Sequence, residues 1–85
     1  MSYPVYMHDD ENGSVSGFFP GVPGCYFAGE SYREALIDAS DALVCHLATL
    51  KESGAAIPQP ESVETYQDHG DCVGGVWGFV AASPD

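Results

Sequence analysis

Carboxylates are the most abundant reactive groups in this chain of 85 residues, thirteen of them against only two cationic side chains, Arg33 and Lys51. Metal-dependent phosphoryl transfer needs several carboxylates converging on two cations about 4 Å apart. Their spacing here argues against that: Asp9, Asp10 and Glu11 fall in a polar loop, Glu34 is engaged in a helix cap, and Asp38 lies on the outer side of that helix. Histidine and cysteine offer a second chemistry. His69-x-x-Cys72 has zinc-compatible spacing and Cys45-His46 could add ligands, but no Cys-x-x-Cys pair anchors the set. The plainer reading makes His46 a helix-boundary histidine beside an apolar stripe, Cys25 a small buried residue and Cys45 an inert surface one. Gly74-Gly75-Val76-Trp77-Gly78 lacks the lysine and the following helix of a phosphate-binding loop. A serine or cysteine triad is recognised by geometry, which the sequence does not supply. No cofactor is implied.

The elements that must position these groups are organised around the stretch Phe18 to Leu36. Pro20-Gly21 and Pro23-Gly24 punctuate it, since proline presets the φ of a turn's second position and glycine accepts positive φ. Ser31-Tyr32-Arg33-Glu34 is a capping box, in which the Ser31 hydroxyl accepts from the Glu34 N–H and the Glu34 carboxylate reaches back to the Ser31 N–H. Beyond it, Tyr32, Leu36, Ala39, Leu43, Leu47 and Leu50 recur at steps of three and four, predicting a helix from Tyr32 to about Ser53 with one apolar stripe. Gly54 and Pro58 suit its end. Tyr3 to His8 alternates as a strand, with Tyr3, Val5 and Met7 on one face and Pro4, Tyr6 and His8 on the other; Pro4 suits an edge or first position. Asn12-Gly13 marks a hairpin into a second strand, Val15 to Phe19, where Gly17 signals a bulge or a close backbone approach. Cys25 to Ala28 reads as a third strand, Glu61 to Asp68 as a short helix, and Val73 to Ala82 as the region of a fourth strand. The order β-β-β-α-α-β predicts an α+β domain, a small mixed sheet of three to four strands packed on one long helix.

A chain this short buries a modest fraction of its surface, so stability should be marginal unless a partner or second subunit adds burial. Its formal net charge of −11 repels phosphate backbones and anionic lipid, so neither nucleic acid nor membrane is an expected partner. A basic protein is the natural complement. The same charge would serve solubility, and composition does not choose between the two. Three cysteines, an odd count, and the lack of a signal peptide point to reduced thiols and a cytoplasmic setting. The longest apolar runs are too short to span a bilayer. Tyr3, Tyr6, Phe18, Phe19, Tyr26, Phe27 and Trp77 fall on both faces of the strands, whereas one helix covers one face. Those left exposed would form a protein-binding surface or a homodimer interface.

Tyr3-Pro4-Val5, the acidic loop, Phe19-Pro20-Gly21-Val22-Pro23-Gly24-Cys25, Ala28-Gly29-Glu30-Ser31, Glu34-Ala35-Leu36, Ile57-Pro58-Gln59-Pro60 and Val76-Trp77 form a set spread over nearly the whole chain. That set resembles the N-terminal domain of HicB antitoxins. The resemblance implies a partial ribonuclease-H-like fold that binds and neutralises HicA, a small, basic, mRNA-cutting ribonuclease resembling a double-stranded-RNA-binding domain. It also implies a homodimer or tetramer. Most of the family carry a C-terminal DNA-binding segment for operator autoregulation. Nothing follows Asp85, so residues 1–85 are expected to be a single antitoxin domain without that segment.

An antitoxin and not an enzyme is therefore the expectation, with Asp9, Asp10, Glu11 and Glu30 as acidic contacts to a basic HicA-like toxin and Tyr26 and Trp77 as apolar anchors. These residues are chosen for loop acidity and expected exposure. Two alternatives remain: a minimal metal-dependent ribonuclease-H-like nuclease, and a purely self-associating domain. Against the nuclease, the middle of the first strand carries Val5, Tyr6 and Met7 where an acid is required.

Overall fold

Alternating apolar residues write the central strand. In a computed structural model, which describes residues 2–67 and 74–82, β1 (Ser2–Asp9) turns Tyr3, Val5 and Met7 into the core. A hairpin leads to β2 (Val15–Phe18). Its turn is closed by the Gly13 N–H donating to the Asp10 carbonyl at 3.0 Å, with Gly13 at positive φ as the Asn-Gly pair requires. Phe19 to Cys25 then makes two successive tight turns. Val22 N–H donates to the Phe19 carbonyl at 3.0 Å and Cys25 N–H to the Val22 carbonyl at 3.1 Å, each turn with proline second and glycine third. β3 (Tyr26–Gly29) follows, one residue later than its sequence pattern suggests.

The long helix α1 (Tyr32–Glu52) starts at the expected cap, where the Ser31 hydroxyl accepts from the Glu34 N–H at 3.2 Å. The reciprocal half differs: the Glu34 carboxylate takes the Glu30 N–H at 3.1 Å, not that of Ser31. At the other end, Gly54 sits at φ +77°. Ala55 N–H donates to the Leu50 carbonyl and Gly54 N–H to that of Lys51, the paired bonds of a Schellman cap. The buried stripe is Ala35, Ala39, Leu43 and Leu47, with Tyr32, Leu36 and Leu50 at its margins. The stripe is rotated towards alanine because the helix start lies against Gly29, where a Cβ would press into the backbone of Glu34 and Ala35. Asp38, expected on the outer face, instead reaches β3 and accepts the Ala28 N–H at 3.0 Å.

From the helix the chain runs in extended form to Pro58, whose carbonyl accepts from the buried Tyr3 hydroxyl at 2.7 Å. It passes through α2 (Val63–Tyr66), shorter than expected, and ends the described fold in β4 (Val76–Ala81). The sheet order is β3-β2-β1-β4 and every pairing is antiparallel. The expectation of a mixed sheet is thus corrected. Pro58 is tied to Tyr3 near one end of β1 while β4 begins opposite Met7 near the other, so β4 runs against β1. β1 is an inner strand of the sheet, but at Pro4 it is locally an edge, as the sequence suggests. Pro4 lies where β1 has β4 as its one neighbour, since β2 covers β1 only from Tyr6 onward, so a missing N–H there can face away from the ladder. Gly17 is a close approach: a Cβ would strike the Tyr6 carbonyl and lie 2.6 Å from the Phe27 ring. The helix covers one face of the sheet, and the other is the side of interest.

Candidate protein-binding face

On the face away from α1, register places one aromatic residue on each strand in a single row. Tyr26 pairs with Phe18, Phe18 with Tyr6, and Tyr6 with Trp77. Ring centroids step across the sheet at 6.4, 6.0 and 5.3 Å, in tilted and edge-on arrangements favoured by aromatic quadrupoles. Tyr26 is 70% exposed and Trp77 half-buried. Beside the row, Pro4 pairs with Phe79, which is 60% exposed. The Phe18–Tyr26 end opens into an apolar notch of about 240 Å³, lined by Pro20, Pro23, Cys25 and Tyr66 among others. That is below the roughly 300–1,000 Å³ of small-molecule sites and suits one side chain of a docking partner.

Toward the hairpin the face becomes polar and then acidic. His8 Nδ1 lies 3.3 Å from Asp10 Oδ1, which also accepts from the Ser16 hydroxyl at 3.1 Å, while Ser14 donates to Asp10 Oδ2 at 3.2 Å. Ser16 Oγ is 3.4 Å from His8 Nε2, so serine, histidine and aspartate meet. A catalytic triad holds the acid behind the histidine, leaving the serine proton to the imidazole. Here the carboxylate contacts the serine itself, and the three close into a triangle that ties the hairpin base together.

The six expected contact residues divide between the two faces. Tyr26 and Trp77 belong to the aromatic row, and Asp10 and the exposed Glu11 crown its hairpin end. Glu30 is exposed just past β3, next to Gly29, which pairs with Val15 at the hairpin base. Asp9 does not join them: it meets the Tyr32 hydroxyl on the helix side, where burial first and then the Asp9 carboxylate push the Tyr32 phenol above its ordinary pKa. Phe18, Tyr6, Phe79 and the His8–Asp10–Ser16 triangle were not chosen from sequence. Cross-strand register is the missing signal, because alternation assigns faces but not neighbours.

Among the described residues no group of three or more His, Cys, Asp or Glu side chains is placed to hold a metal, and no helix is long and apolar enough to cross a membrane. His69 and Cys72 lie outside the described residues. Cys45 is exposed and Cys25 buried; burial, and secondarily Cys45, raise the Cys25 thiol pKa, which suits an unreactive packing residue.

Tyr6 is the odd member of the row. It is 2% exposed although it faces away from the helix, its ring lies against Gly75, and its hydroxyl is buried with no hydrogen-bond partner among the described residues. An unsatisfied buried hydroxyl costs about 1–3 kcal/mol. Tyr6→Phe therefore leaves the fold equally stable or raises its stability by about 1 kcal/mol, as read by urea denaturation.

A family model for HicB-like antitoxins of bacterial toxin–antitoxin systems matches residues 3–85. The chain belongs to this family. The fold of this HicB-like chain agrees: the N-terminal domain of the Burkholderia pseudomallei antitoxin HicB superposes with a TM-score of 0.86 at 27% identity, covering 98% of this chain and 99% of that one. A chain of the HicA3–HicB3 toxin–antitoxin complex superposes with a TM-score of 0.80 at 31% identity, covering 99% of this chain and all of that one. An uncharacterised 14.9 kDa protein of Haemophilus phage HP1 is 32% identical over 66 residues, 78% of this chain. The HicB-like chain spans 49% of that phage protein and 64% of the intact B. pseudomallei antitoxin.

Proposed function

We propose that this HicB-like chain is an antitoxin that holds a small, basic, mRNA-cutting toxin of the HicA type against the open face of its sheet and masks the toxin's active face. The supporting observation is an aromatic row, exposed at Tyr26 and partly so at Phe18 and Trp77, that runs beside an acidic hairpin tip in a chain of net charge −11. The aromatic rings supply desolvated contact area, and the notch beside Tyr26 receives one apolar side chain of the toxin. Asp10, Glu11 and Glu30 complement its cationic surface. Asp9, on the far side of the hairpin, adds to the attracting field without contact. The task is surface masking, so it needs no cofactor and no catalytic group. Residues 3–85 carry toxin binding, and operator binding is not assigned to so acidic a stretch.

Association rates with a basic toxin of the HicA type test the electrostatic half. Glu11→Lys slows association on the order of tenfold at low salt, and the difference shrinks as salt screens the field. Rates that ignore both the substitution and the salt would remove the acidic tip from the interface.

A further inference from the structure

The tip of the β1–β2 hairpin carries the chain's one asparagine, Asn12, and glycine follows it. Both residues are exposed, and a Cβ at position 13 would meet nothing within 4 Å, so the peptide joining them is open to water. The Asn12 side chain is held all the same. Ser14 N–H donates to its Oδ1 at 3.1 Å, and Ser14 Oγ lies 2.7 Å from the same atom. A backbone N–H can only donate, which fixes the oxygen on Ser14 and leaves Nδ2 without a hydrogen bond among the described residues. The bond from Ser14 N–H spans two residues, and this short ring curls the side-chain amide over the Gly13 peptide, as in an Asx-turn.

We propose that Asn12 is a site of self-modification, at which the Gly13 nitrogen attacks the Asn12 side-chain amide and hydrolysis leaves a carboxylate on the hairpin tip. As the nitrogen bonds to Cγ, its proton passes to a base in solution. Negative charge develops on Oδ1, where the Ser14 N–H already donates and the Ser14 hydroxyl, whose one proton is shared with Asp10 Oδ2 at 3.2 Å, stands ready; this is the arrangement of an oxyanion hole. The Cγ–Nδ2 bond then breaks, and ammonia leaves with a proton from water. Water opens the cyclic imide at either carbonyl to give aspartate or isoaspartate. One amide and one water are consumed, one carboxylic acid and one ammonia are formed, and nothing is oxidised or reduced. Holding the amide over the nitrogen supplies the proximity the step needs. One bond opposes it: Gly13 N–H donates to the Asp10 carbonyl at 3.0 Å and must let go first. An exposed tip opens locally without global unfolding. The product adds one negative charge beside Asp10 and Glu11 in a chain of net charge −11, and the isoaspartate form also lengthens the main chain inside the turn. The site stands or falls independently of what binds the open face.

Incubation of the folded chain in mildly alkaline buffer, followed by intact mass and peptide mapping, tests it, with circular dichroism confirming that each variant stays folded. A gain of about one dalton located at Asn12 is expected, with a fraction of the product labelled by an isoaspartyl methyltransferase. Asn12→Gln abolishes the gain, because its longer side chain closes a less favourable ring. Ser14→Ala slows it about threefold or more by removing the hydroxyl donor. A turn merely loosened by that substitution would react faster, so the direction separates the two effects. No gain at Asn12 over a period in which a free peptide of residues 9–16 converts overturns the proposal. So does a Ser14→Ala chain that converts as fast as the wild type or faster.

Discussion

Leu43→Ala lowers the unfolding free energy by about 2–5 kcal/mol, measured by urea denaturation, whereas Leu36→Ala, at the margin of the helix contact, costs clearly less. Leu43 is fully buried at the centre of the stripe that seats α1 on the sheet, in a core with Val5, Phe27 and Leu47. Truncation removes its transfer free energy and leaves a cavity whose walls are strands already fixed by pairing, so little collapse relieves the cost. A domain of this size holds about 5–15 kcal/mol in total, so the loss is a large fraction of what keeps it folded. Equal effects of the two substitutions would misplace the buried stripe.

Tyr26→Ala is expected to weaken toxin binding by about 2 kcal/mol or more, roughly thirtyfold in dissociation constant, while leaving the melting temperature nearly unchanged. The separation follows from position: Tyr26 is 70% exposed at the end of the aromatic row, on the wall of the notch, and gives the fold one tilted ring contact with Phe18. Aromatic side chains in such settings carry a disproportionate share of interface energy. Trp77→Ala would be harder to interpret, because its ring packs edge-on to Tyr6 and is half-buried in the monomer. Titration calorimetry with a HicA-type toxin reads the loss, and full affinity in Tyr26→Ala would remove this end of the row from the interface.

Local chemistry made much of the fold legible. The Ser31 cap, the Gly54 stop, the two proline–glycine turns and the Asn12-Gly13 hairpin each depend on groups within a few residues of one another, and each stands where the sequence places it. The direction of β4 was not legible, because it depends on where a tail anchored by the Tyr3–Pro58 contact, fifty-five residues apart in sequence, lets the chain turn back. The role of Asp38 was hidden for the same reason: its partner Ala28 is on another element.

The candidate face shows the same division. That Tyr26 and Trp77 face outward follows from alternation; that they are the two ends of one four-ring row, through Phe18 and Tyr6, requires the register of three strand pairs. Asp9 and Asp10 are neighbours in sequence and face opposite sides of the sheet, so an acidic loop read as one surface divides into two. Alternation along β1 could have made that distinction, since Asp9 continues the series of Tyr3, Val5 and Met7.

The central claim is that the open face silences a cationic ribonuclease by covering it. RNA cleavage by a HicA-type toxin, followed while this chain is added up to and beyond equimolar amounts, tests it most directly. Cleavage should fall to background near stoichiometry and persist at the same dose of Tyr26→Ala; undiminished cleavage under saturating wild-type chain, or cleavage by the chain itself, would contradict it.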